Sequence, residues 1–239
     1  MHPDDFEKDL VRDYLGSEPG VFVEVGANHP TDGSQTHLFE QAGWRGILVE
    51  PQQKFQEPLR RDRPRSTVVQ AVCTSPERVG PQTLHIPLQD GFATLEPNKD
   101  DFGIRYGATE AVAGRTLDSI IDEWRNSTGE VTRIRLLAID VEGHELEVLC
   151  GCSLERHRPD LVLIEDKLQD LSKHRHLTGQ GYRLVRRTSL NDWYIPFEAN
   201  PPARSFVEIA KLYRKVFLGL PWRMLRRWRH TRRCGATVN

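Results

Sequence analysis

The 239 residues are 38% hydrophobic and 28% charged, with a formal net charge of −1, which is enough chain for one α/β domain and an appendage. No run approaches the ~18 apolar residues of a membrane span, and the charged opening stretch Met1–Leu15 argues against a signal peptide. The four cysteines lack metal or disulfide spacing, which predicts reduced thiols in a cytoplasmic protein.

Strand and helix patterns alternate along the first part of the chain. The predicted helices are 4–15, 35–42 and 54–61, and the predicted strands are 21–25, 46–50 and 67–72. This alternation predicts a parallel sheet with right-handed crossovers. An extra strand is predicted at 83–88, followed by an irregular loop over 89–114 that is rich in Gly, Asp and Asn.

The alternation resumes after residue 114. The predicted helices are 116–124, 144–150 and 168–179, and the predicted strands are 134–140, 160–166, 182–187 and 192–197. A short loop joins the last two strands, which predicts an antiparallel hairpin. The expected domain is α/β, with a seven-stranded, mostly parallel sheet.

Four of the predicted strands end on carboxylates. Glu24, Glu50 and Asp140 lie at or near three strand ends, and Glu165 with Asp166 lies at the fourth. In doubly wound sheets, ligands bind at the carboxyl ends of the strands, so these side chains are expected on one rim. The alternative is that each acid caps the next helix or faces solvent.

The stretch VFVEVGAN, 21–28, predicts a buried strand followed by a turn that approaches a ligand. Gly26 permits close backbone approach, and Glu50 follows at the spacing at which α/β folds bind a ribose. The turn lacks the further glycines of a dinucleotide loop, since Ala27 and Asn28 follow directly. A carboxylate before a short glycine turn favours a cationic ligand with a free amine, such as S-adenosylmethionine.

Six strings in the chain are similar to those of the FkbM family of class I S-adenosylmethionine-dependent methyltransferases. They are VFVEVGAN (21–28), GSQTHLFE (33–40), GWRGILVEP (43–51), GFATL (91–95), RTLDSIIDE (115–123) and IDVEGHELEVLCG (139–151). The resemblance implies a Rossmann-like fold closed by an antiparallel terminal hairpin. One departure is the bulkier stretch 29–31 after the glycine turn.

The resemblance implies methyl transfer to the hydroxyl of a sugar, glycolipid or related small-molecule or polysaccharide intermediate. We expect the loop 89–114 to form much of the acceptor pocket. Asp140 would lie beside the methyl group, and His144 would act as general base. A histidine at a helix start is more often simply exposed. The implied cofactor-binding residues are Glu24, Gly26, Ala27, Asn28, Ser34, Glu50, Pro51, Ala71, Val72 and Asp140.

A magnesium site is a second possibility for activating the acceptor. Asp140, Glu165 and Asp166 would offer three hard oxygen ligands, with open positions for substrate hydroxyls. Glu142 competes as a ligand, and Glu165 is equally suited to capping a helix.

The last part of the chain predicts an appendage, 201–239, behind a methyltransferase domain, 1–200. From residue 203 onward there are ten Lys or Arg against the single acid Glu208, so this segment carries +9 and the rest carries −10. Aromatic and basic residues over 205–233 predict a helix on an anionic membrane surface, placing the protein peripherally on the inner face of the membrane with a lipid-linked sugar as acceptor.

The alternative is a helix that packs on its own domain or on a second copy in a homo-oligomer. Nucleic acid is not expected as a partner, because the core is acidic and no recognition motif accompanies the tail. A non-catalytic protein that binds membrane or a partner through the tail is the second function kept open.

Overall fold

The computed structural model describes residues 3–88, 93–95, 105–168, 170–188, 190–219 and 221. The strands are β1 Val21–Val25, β2 Arg45–Val49, β3 Ser66–Val69, β4 Val72–Cys73, β5 Gly80–Pro87, β6 Tyr106–Arg115, β7 Ile134–Ile139, β8 Leu161–Glu165, β9 Tyr182–Thr188 and β10 Asn191–Pro196. The α-helices are α1 Pro3–Leu15, α2 His37–Gln41, α3 Gln53–Asp62, α4 Leu117–Thr128, α5 Glu145–Cys150, α6 Leu154–His157, α7 Ser172–Gly179 and α8 Phe206–Tyr213. A 3-10 helix, Pro76–Arg78, and a π-helix, Arg214–Leu218, complete the set.

The main sheet has seven strands in the order β3-β2-β1-β7-β8-β10-β9. Strands β1, β2, β3, β7 and β8 pair in parallel, whereas β10 runs antiparallel to both β8 and β9. The α/β prediction, with its terminal antiparallel hairpin, is therefore confirmed. Chain order reverses between β1 and β7, which makes their carboxyl ends the switch point where ligands bind in such sheets.

Helices cover both faces of this sheet. The buried side chains of α4, α5 and α7 pack with β1 and β7 on one face, and those of α1, α2 and α3 pack on the other. All five residues of β1 are buried, as are all five of β8. Central strands covered on both faces explain why these segments are continuous apolar runs broken only near their ends.

A second, three-stranded sheet has the order β4-β6-β5 and was not expected. It corrects two predictions: 67–72 is not one buried strand but the edge strand β3 followed by the separate strand β4, and 89–114 is not all loop, since it contains most of β6. Strand β6 is hidden in the sequence because most of its residues are small or exposed, so it shows no apolar alternation. Residues 89–92 and 96–104 of the expected loop lie outside the described residues.

The predicted helix at 168–179 begins later, at Ser172. Leu168 has a left-handed backbone with φ of 54°, and its N–H donates to Asp166 Oδ1 at 2.8 Å. The helix therefore begins after this turn, because a residue with a left-handed backbone conformation cannot lie inside a right-handed helix.

Helix α8 and the π-helix that follows it pack on the domain through one side. Leu212 and Val216 are buried in a cluster with Leu168, as expected for a helix that docks on its own chain. Phe206 is 83% exposed and Leu218 is 72% exposed, so other apolar residues of the segment face outward. Residues 220 and 222–239 of the predicted basic tail are outside the described part.

The hydropathy of the helices is also informative. Among residues that the structure describes, no helix combines the length and the apolar character needed to cross a membrane.

Arg63 connects the end of β1 to the segments around α2. Its side chain is 1% exposed and lies 2.5 Å from Glu40 and 3.8 Å from Glu24. It also donates to the hydroxyls of Ser34 and Thr36 at 3.0 and 2.7 Å. One buried guanidinium thus offsets two buried carboxylates, a geometry in which removal of the cation leaves charge uncompensated.

Arg63→Met is therefore expected to lower the free energy of unfolding by ~3–5 kcal/mol, because Glu24 and Glu40 lose their shared counter-charge. Urea denaturation followed by circular dichroism measures this change. The matched control is Arg60→Met on the exposed side of α3, which should change stability by less than ~0.5 kcal/mol. Equal effects of the two substitutions on the free energy of unfolding would show that the buried ion pairs of Arg63 do not stabilise the fold.

Candidate active site

A cavity of about 210 Å³ lies at the switch point, over the carboxyl ends of β1, β2 and β7. It brings together nearly all of the residues that the sequence assigned to cofactor and catalysis. Those that line it are Glu24, Gly26, Ala27, Asn28, Glu50, Pro51, Ala71, Val72, Asp140 and His144. Ser34 does not line it, although its neighbours Gly33 and Gln35 do.

The turn after β1 is held between the two neighbouring strands. The N–H groups of Gly26 and Ala27 donate to the Val49 carbonyl at 2.9 and 3.1 Å, and Asp140 N–H donates to the Val25 carbonyl at 3.0 Å. Gly26 has φ of +86°, and a Cβ there would lie 1.8 Å from the Asp140 carbonyl oxygen. A glycine is therefore required here because two segments of the protein touch. The sequence had suggested another reason, which was close approach of the backbone to a ligand.

Glu50 is fixed by two backbone donors. Its Oε2 accepts from Asn28 N–H at 2.9 Å and its Oε1 accepts from Gln52 N–H at 2.8 Å. Burial raises the pKa of Glu50 to about 7 although both hydrogen bonds oppose that rise. Each carboxylate oxygen can accept a second hydrogen bond, so the buried group retains the capacity to bind hydroxyl donors.

Two further acceptors in the cavity wall are unsatisfied. Asn28 Oδ1 and Gln52 Oε1 are buried and have no hydrogen-bond partner among the described residues. Asn28 adopts a left-handed backbone with φ of 49°, which asparagine tolerates better than most residues. Unpaired buried acceptors beside carboxylates fit a donor-rich cationic ligand. S-adenosylmethionine matches that description, with its ammonium, ribose hydroxyls, adenine amine and sulfonium.

The side chain of Glu24 is hydrogen-bonded by other groups of the protein. Its Oε1 accepts from Gln35 N–H at 2.7 Å, its Oε2 accepts from Thr36 Oγ1 at 2.5 Å, and the Ser34 hydroxyl donates to both oxygens. These bonds hold the segment 33–36 beside the cavity. Ser34 thus contributes as a partner of Glu24, and Glu24 shapes the wall that it also lines.

The side chain of Asp140 is exposed at the cavity. The surrounding protein nevertheless shifts the pKa of its carboxyl group. Desolvation and then the nearby carboxylates of Glu165, Glu142 and Glu145 raise its pKa to about 8, against a lowering effect of Lys167. A carboxyl group with a pKa near neutrality can exchange a proton with a substrate at physiological pH. A cation beside it would favour its ionised form.

His144 follows a strained turn. Glu142 has φ of 53° and Gly143 has φ of 98°, and Glu142 is held by Lys167 Nζ at 2.8 Å. His144 occupies the N-cap position of α5 and is 8% exposed. The alternative that this histidine is simply exposed at a helix start is therefore wrong. Left-handed non-glycine residues are concentrated at functional sites.

The predicted magnesium site is not assembled. Asp166 Oδ1 lies 3.0 Å from Lys173 Nζ, and Glu165 lies 3.7 Å from Lys167 Nζ. Neither acid lines the cavity over β1, β2 and β7. Within the described ranges, no three His, Cys, Asp or Glu side chains form a group that could hold a metal ion.

A second cavity, of about 740 Å³, adjoins the first. Gly33, Gln35, Asp140 and Asn191 belong to the walls of both. The remaining wall comes from α1, β9, the β9–β10 turn, α8 and the π-helix, together with Arg204 and Glu165. We call it the outer cavity, and the cavity over β1, β2 and β7 the inner cavity.

Comparison with family models matches residues 24–184 of this chain to the methyltransferase FkbM domain. The chain belongs to the FkbM methyltransferase family. The match spans β1 to β9 and includes every residue assigned above to the cofactor, so methylation with S-adenosylmethionine is the general activity of this domain.

Solved structures similar to this FkbM domain are also methyltransferases. A precorrin-6y C5,15-methyltransferase from Geobacter metallireducens GS-15 is 12% identical, with a TM-score of 0.40, over 79% of this chain and 85% of that one. The human methyltransferase 10 domain containing protein is 13% identical, with a TM-score of 0.43, over 83% of each chain. The N-terminal domain of human METTL16 in complex with SAH is 13% identical, with a TM-score of 0.42, over 80% and 68%.

A comparison with curated proteins found no significant match.

Several wall residues of the FkbM site were missed by sequence reasoning. Gln52 follows Glu50 and Pro51 closely, so its proximity to the strand end was an available signal. Asn191 is different: it reaches both cavities because β10 inserts between β8 and β9. Leu84 reaches the inner cavity from the second sheet, which no local pattern predicts. Ala93–Leu95 belong to the loop expected at the acceptor pocket, but they line the inner cavity.

Gly26→Ala is expected to lower the free energy of unfolding by ~3 kcal/mol or more, because a left-handed backbone and a steric clash combine. Gly16→Ala is the matched control, since Gly16 has φ of +79° and nothing within 4 Å of its Cβ position. The control should cost only about 1–2 kcal/mol. Thermal and urea unfolding of the two variants measures the difference, and similar losses would contradict the contact with Asp140.

Proposed function

We propose that this FkbM family member is an S-adenosylmethionine-dependent O-methyltransferase that acts on a hydroxyl group of a sugar, glycolipid or related small-molecule or polysaccharide intermediate. The observation that carries this proposal is that Asp140 belongs to the walls of both cavities. A group shared by the cofactor side and the acceptor side is placed to act on the atom that reacts.

In this proposal the inner cavity holds S-adenosylmethionine, which when bound supplies an electrophilic methyl group on a sulfonium centre. Glu50 binds the ribose hydroxyls, and its rigid support by Asn28 and Gln52 fixes its position. Asn28 Oδ1 and Gln52 Oε1 accept hydrogen bonds from amine or hydroxyl donors of the ligand. Ala71 and Val72 provide apolar wall beside the adenine.

Asp140 is proposed as the general base. It takes the proton of the acceptor hydroxyl as the oxygen forms its bond to the methyl carbon and the carbon–sulfur bond breaks. Its elevated pKa, about 8, makes it a stronger base than an ordinary carboxylate once it is ionised. His144 lines only the inner cavity, so we assign it to positioning the reacting groups there.

A hydroxyl-rich acceptor suits the outer cavity. Its wall offers hydrogen-bonding groups from Thr188, Asn191 and several charged side chains. Alcohols and sugars present many donors and acceptors to such walls, whereas an aromatic or alkyl acceptor would leave them unpaired.

Association with an anionic membrane surface through 205–233 remains part of the proposal for location. Phe206, Val207, Tyr213 and Leu218 are exposed apolar or aromatic side chains on α8 and the π-helix, with Lys211 and Arg214 also exposed among them. Aromatic residues beside cations suit the headgroup layer of a bilayer.

Calorimetric titration of S-adenosylmethionine into the full chain tests the proposed function. Binding is expected for the wild type and for Glu57→Gln, an exposed acid on α3. Glu50→Gln should bind roughly 10–100-fold more weakly, because hydrogen bonds to a charged group are worth ~1.5–3 kcal/mol. Absence of binding by the wild type, with or without Mg²⁺, would reject the enzyme and favour a non-catalytic membrane- or partner-binding protein.

The pH dependence of the same titration tests Asp140. The carboxyl is protonated well below pH 8 and ionised above it, and only the ionised form attracts the sulfonium. The affinity for S-adenosylmethionine relative to S-adenosylhomocysteine should therefore rise between pH 6 and 9, by about fivefold or more for an ion pair of ~1 kcal/mol.

Asp140→Asn should abolish this change in relative affinity, because asparagine does not ionise. Asp62→Asn, at an exposed position, should retain it. A ratio of affinities that is independent of pH in the wild type would show that Asp140 does not lie beside the sulfonium.

A further inference from the structure

The outer cavity has a cationic region on the β9 and α8 side. Arg186, Arg204, Lys211 and Lys215 line it there, against one carboxylate, Glu208. Glu208 belongs to the capping box of α8, where its side chain accepts from Ser205 N–H at 2.7 Å. We call these four cations the basic wall.

The other charged groups on that side are satisfied within the protein. Arg187 lies 2.7 Å from Asp192, and both side chains are buried. Glu7 is buried and accepts from Thr188, Asn191 and Trp193. Arg187 is therefore paired within the protein, and Glu7 is held by these three hydrogen bonds.

Among the described residues, the two arginines of the basic wall donate hydrogen bonds only to backbone carbonyls. Arg186 donates to the Ala203 carbonyl at 2.9 Å and lies over the Trp193 ring, and Arg204 donates to the Val185 carbonyl. Burial, together with the charges of Arg186 and Arg183, lowers the pKa of Arg204, with Tyr213 and Glu208 opposing. Each guanidinium has five N–H donors, so donors remain for an anionic ligand.

Lys211 adds a charge without a fixed partner. It is exposed on α8 and lines the cavity, and no ion pair of its side chain occurs among the residues described. Guanidinium and ammonium groups converging on one cavity wall are the usual means of holding phosphate.

The basic wall is separated from the reaction centre by about half the width of the sheet. Asp140 follows β7, whereas Arg186 lies on β9, three strand spacings away in the order β7-β8-β10-β9. At ~4.8 Å for each spacing, this is about 14 Å. The carboxylates Asp140 and Glu165 lie on the reaction side of the same cavity, so the cavity is electrically polarised along its length.

We infer that the outer cavity binds an acceptor that carries a phosphate group, with the phosphate on the basic wall and the reacting hydroxyl at Asp140. This inference rests on the proposed function and names the class of its substrate. The phosphate belongs either to a soluble sugar phosphate or to a lipid-linked sugar phosphate, since the chemistry of the wall is the same for both. An acceptor that reaches from one end to the other is longer than one sugar ring.

The inference also gives a role to the helix that follows the sheet. Lys211 and Leu212 of α8 line the cavity, and Leu212 is fixed by packing against Leu168. The segment predicted as a separate appendage thus completes the acceptor site.

Titration of glucose 1-phosphate into the full chain tests this assignment, with methyl glucoside as the uncharged control. The double variant Arg204→Gln/Lys211→Gln should bind the phosphate ester about 100-fold more weakly, at roughly tenfold for each lost cation. Arg60→Gln/Arg61→Gln, which removes two exposed charges of α3, should bind it as the wild type does. A parallel sedimentation assay with phosphatidylcholine vesicles containing phosphatidic acid separates a lipid-linked phosphate from a soluble one.

Binding of either phosphate probe that depends on Arg204 and Lys211 supports the inference. Equal affinities of the two double variants would overturn it, as would binding of methyl glucoside as tight as that of glucose 1-phosphate. Titration of S-adenosylhomocysteine into the same samples distinguishes failure of this inference from failure of the proposed function. If the wild type binds S-adenosylhomocysteine but neither phosphate probe, this inference alone is rejected. If the wild type binds neither the cofactor product nor a phosphate probe, the proposed enzyme activity is rejected as well. Because Lys211 is exposed, Lys211→Gln alone provides the test if the double variant fails to fold.

Discussion

The contact between Gly26 and the carbonyl of Asp140 is the constraint on which the site depends. Strands β1 and β7 lie side by side although more than a hundred residues separate them in sequence. At their ends the chain must turn in opposite directions, and the two turns touch at a distance that leaves no room for a Cβ. This close approach places the cofactor loop and the proposed base in one crevice, and hydrogen bonds from the turn to Val49 add β2, with Glu50 directly after it, to the same rim.

The carboxylates around the crevice differ in how the protein stabilises their charge. On the rim, desolvation raises the pKa values of Glu50, Asp140 and Glu165, and nearby carboxylates raise those of Asp140 and Glu165 further. Such groups are poorly stabilised as anions until a cation arrives, so a positively charged cofactor relieves the strain that folding imposes. Glu24 is handled differently, because Arg63 and the hydroxyls of Ser34 and Thr36 surround it. Glu24 is therefore engaged by protein groups, whereas Glu50 on the neighbouring strand is the acid that our proposal assigns to the ligand.

The sequence predicted the sheet and most of the rim because those features are local. A buried strand that ends on an acid is visible in consecutive residues, and Glu24, Glu50, Asp140 and Glu165 all follow that rule. The second sheet was missed since β6 carries small, exposed residues without alternation, and Asn191 was missed because its place depends on β10 inserting between β8 and β9. The magnesium prediction finds no support among the described residues, because Lys167 and Lys173 form ion pairs with Glu165 and Asp166. Such pairings between the end of β8 and the residues that follow it leave no pattern in the sequence.

The division between the inner and outer cavities also bears on how such enzymes diverge. The family match ends at residue 184, so it contains the groups that face the cofactor, while Arg186, Arg204 and Lys211 lie beyond it. If the outer cavity holds the acceptor as we propose, substitutions in α8 would change acceptor selectivity without disturbing the packing of β1 against β7. Under the proposed assignment of the outer cavity, the groups that would select the acceptor therefore lie outside the part of the chain that the family shares.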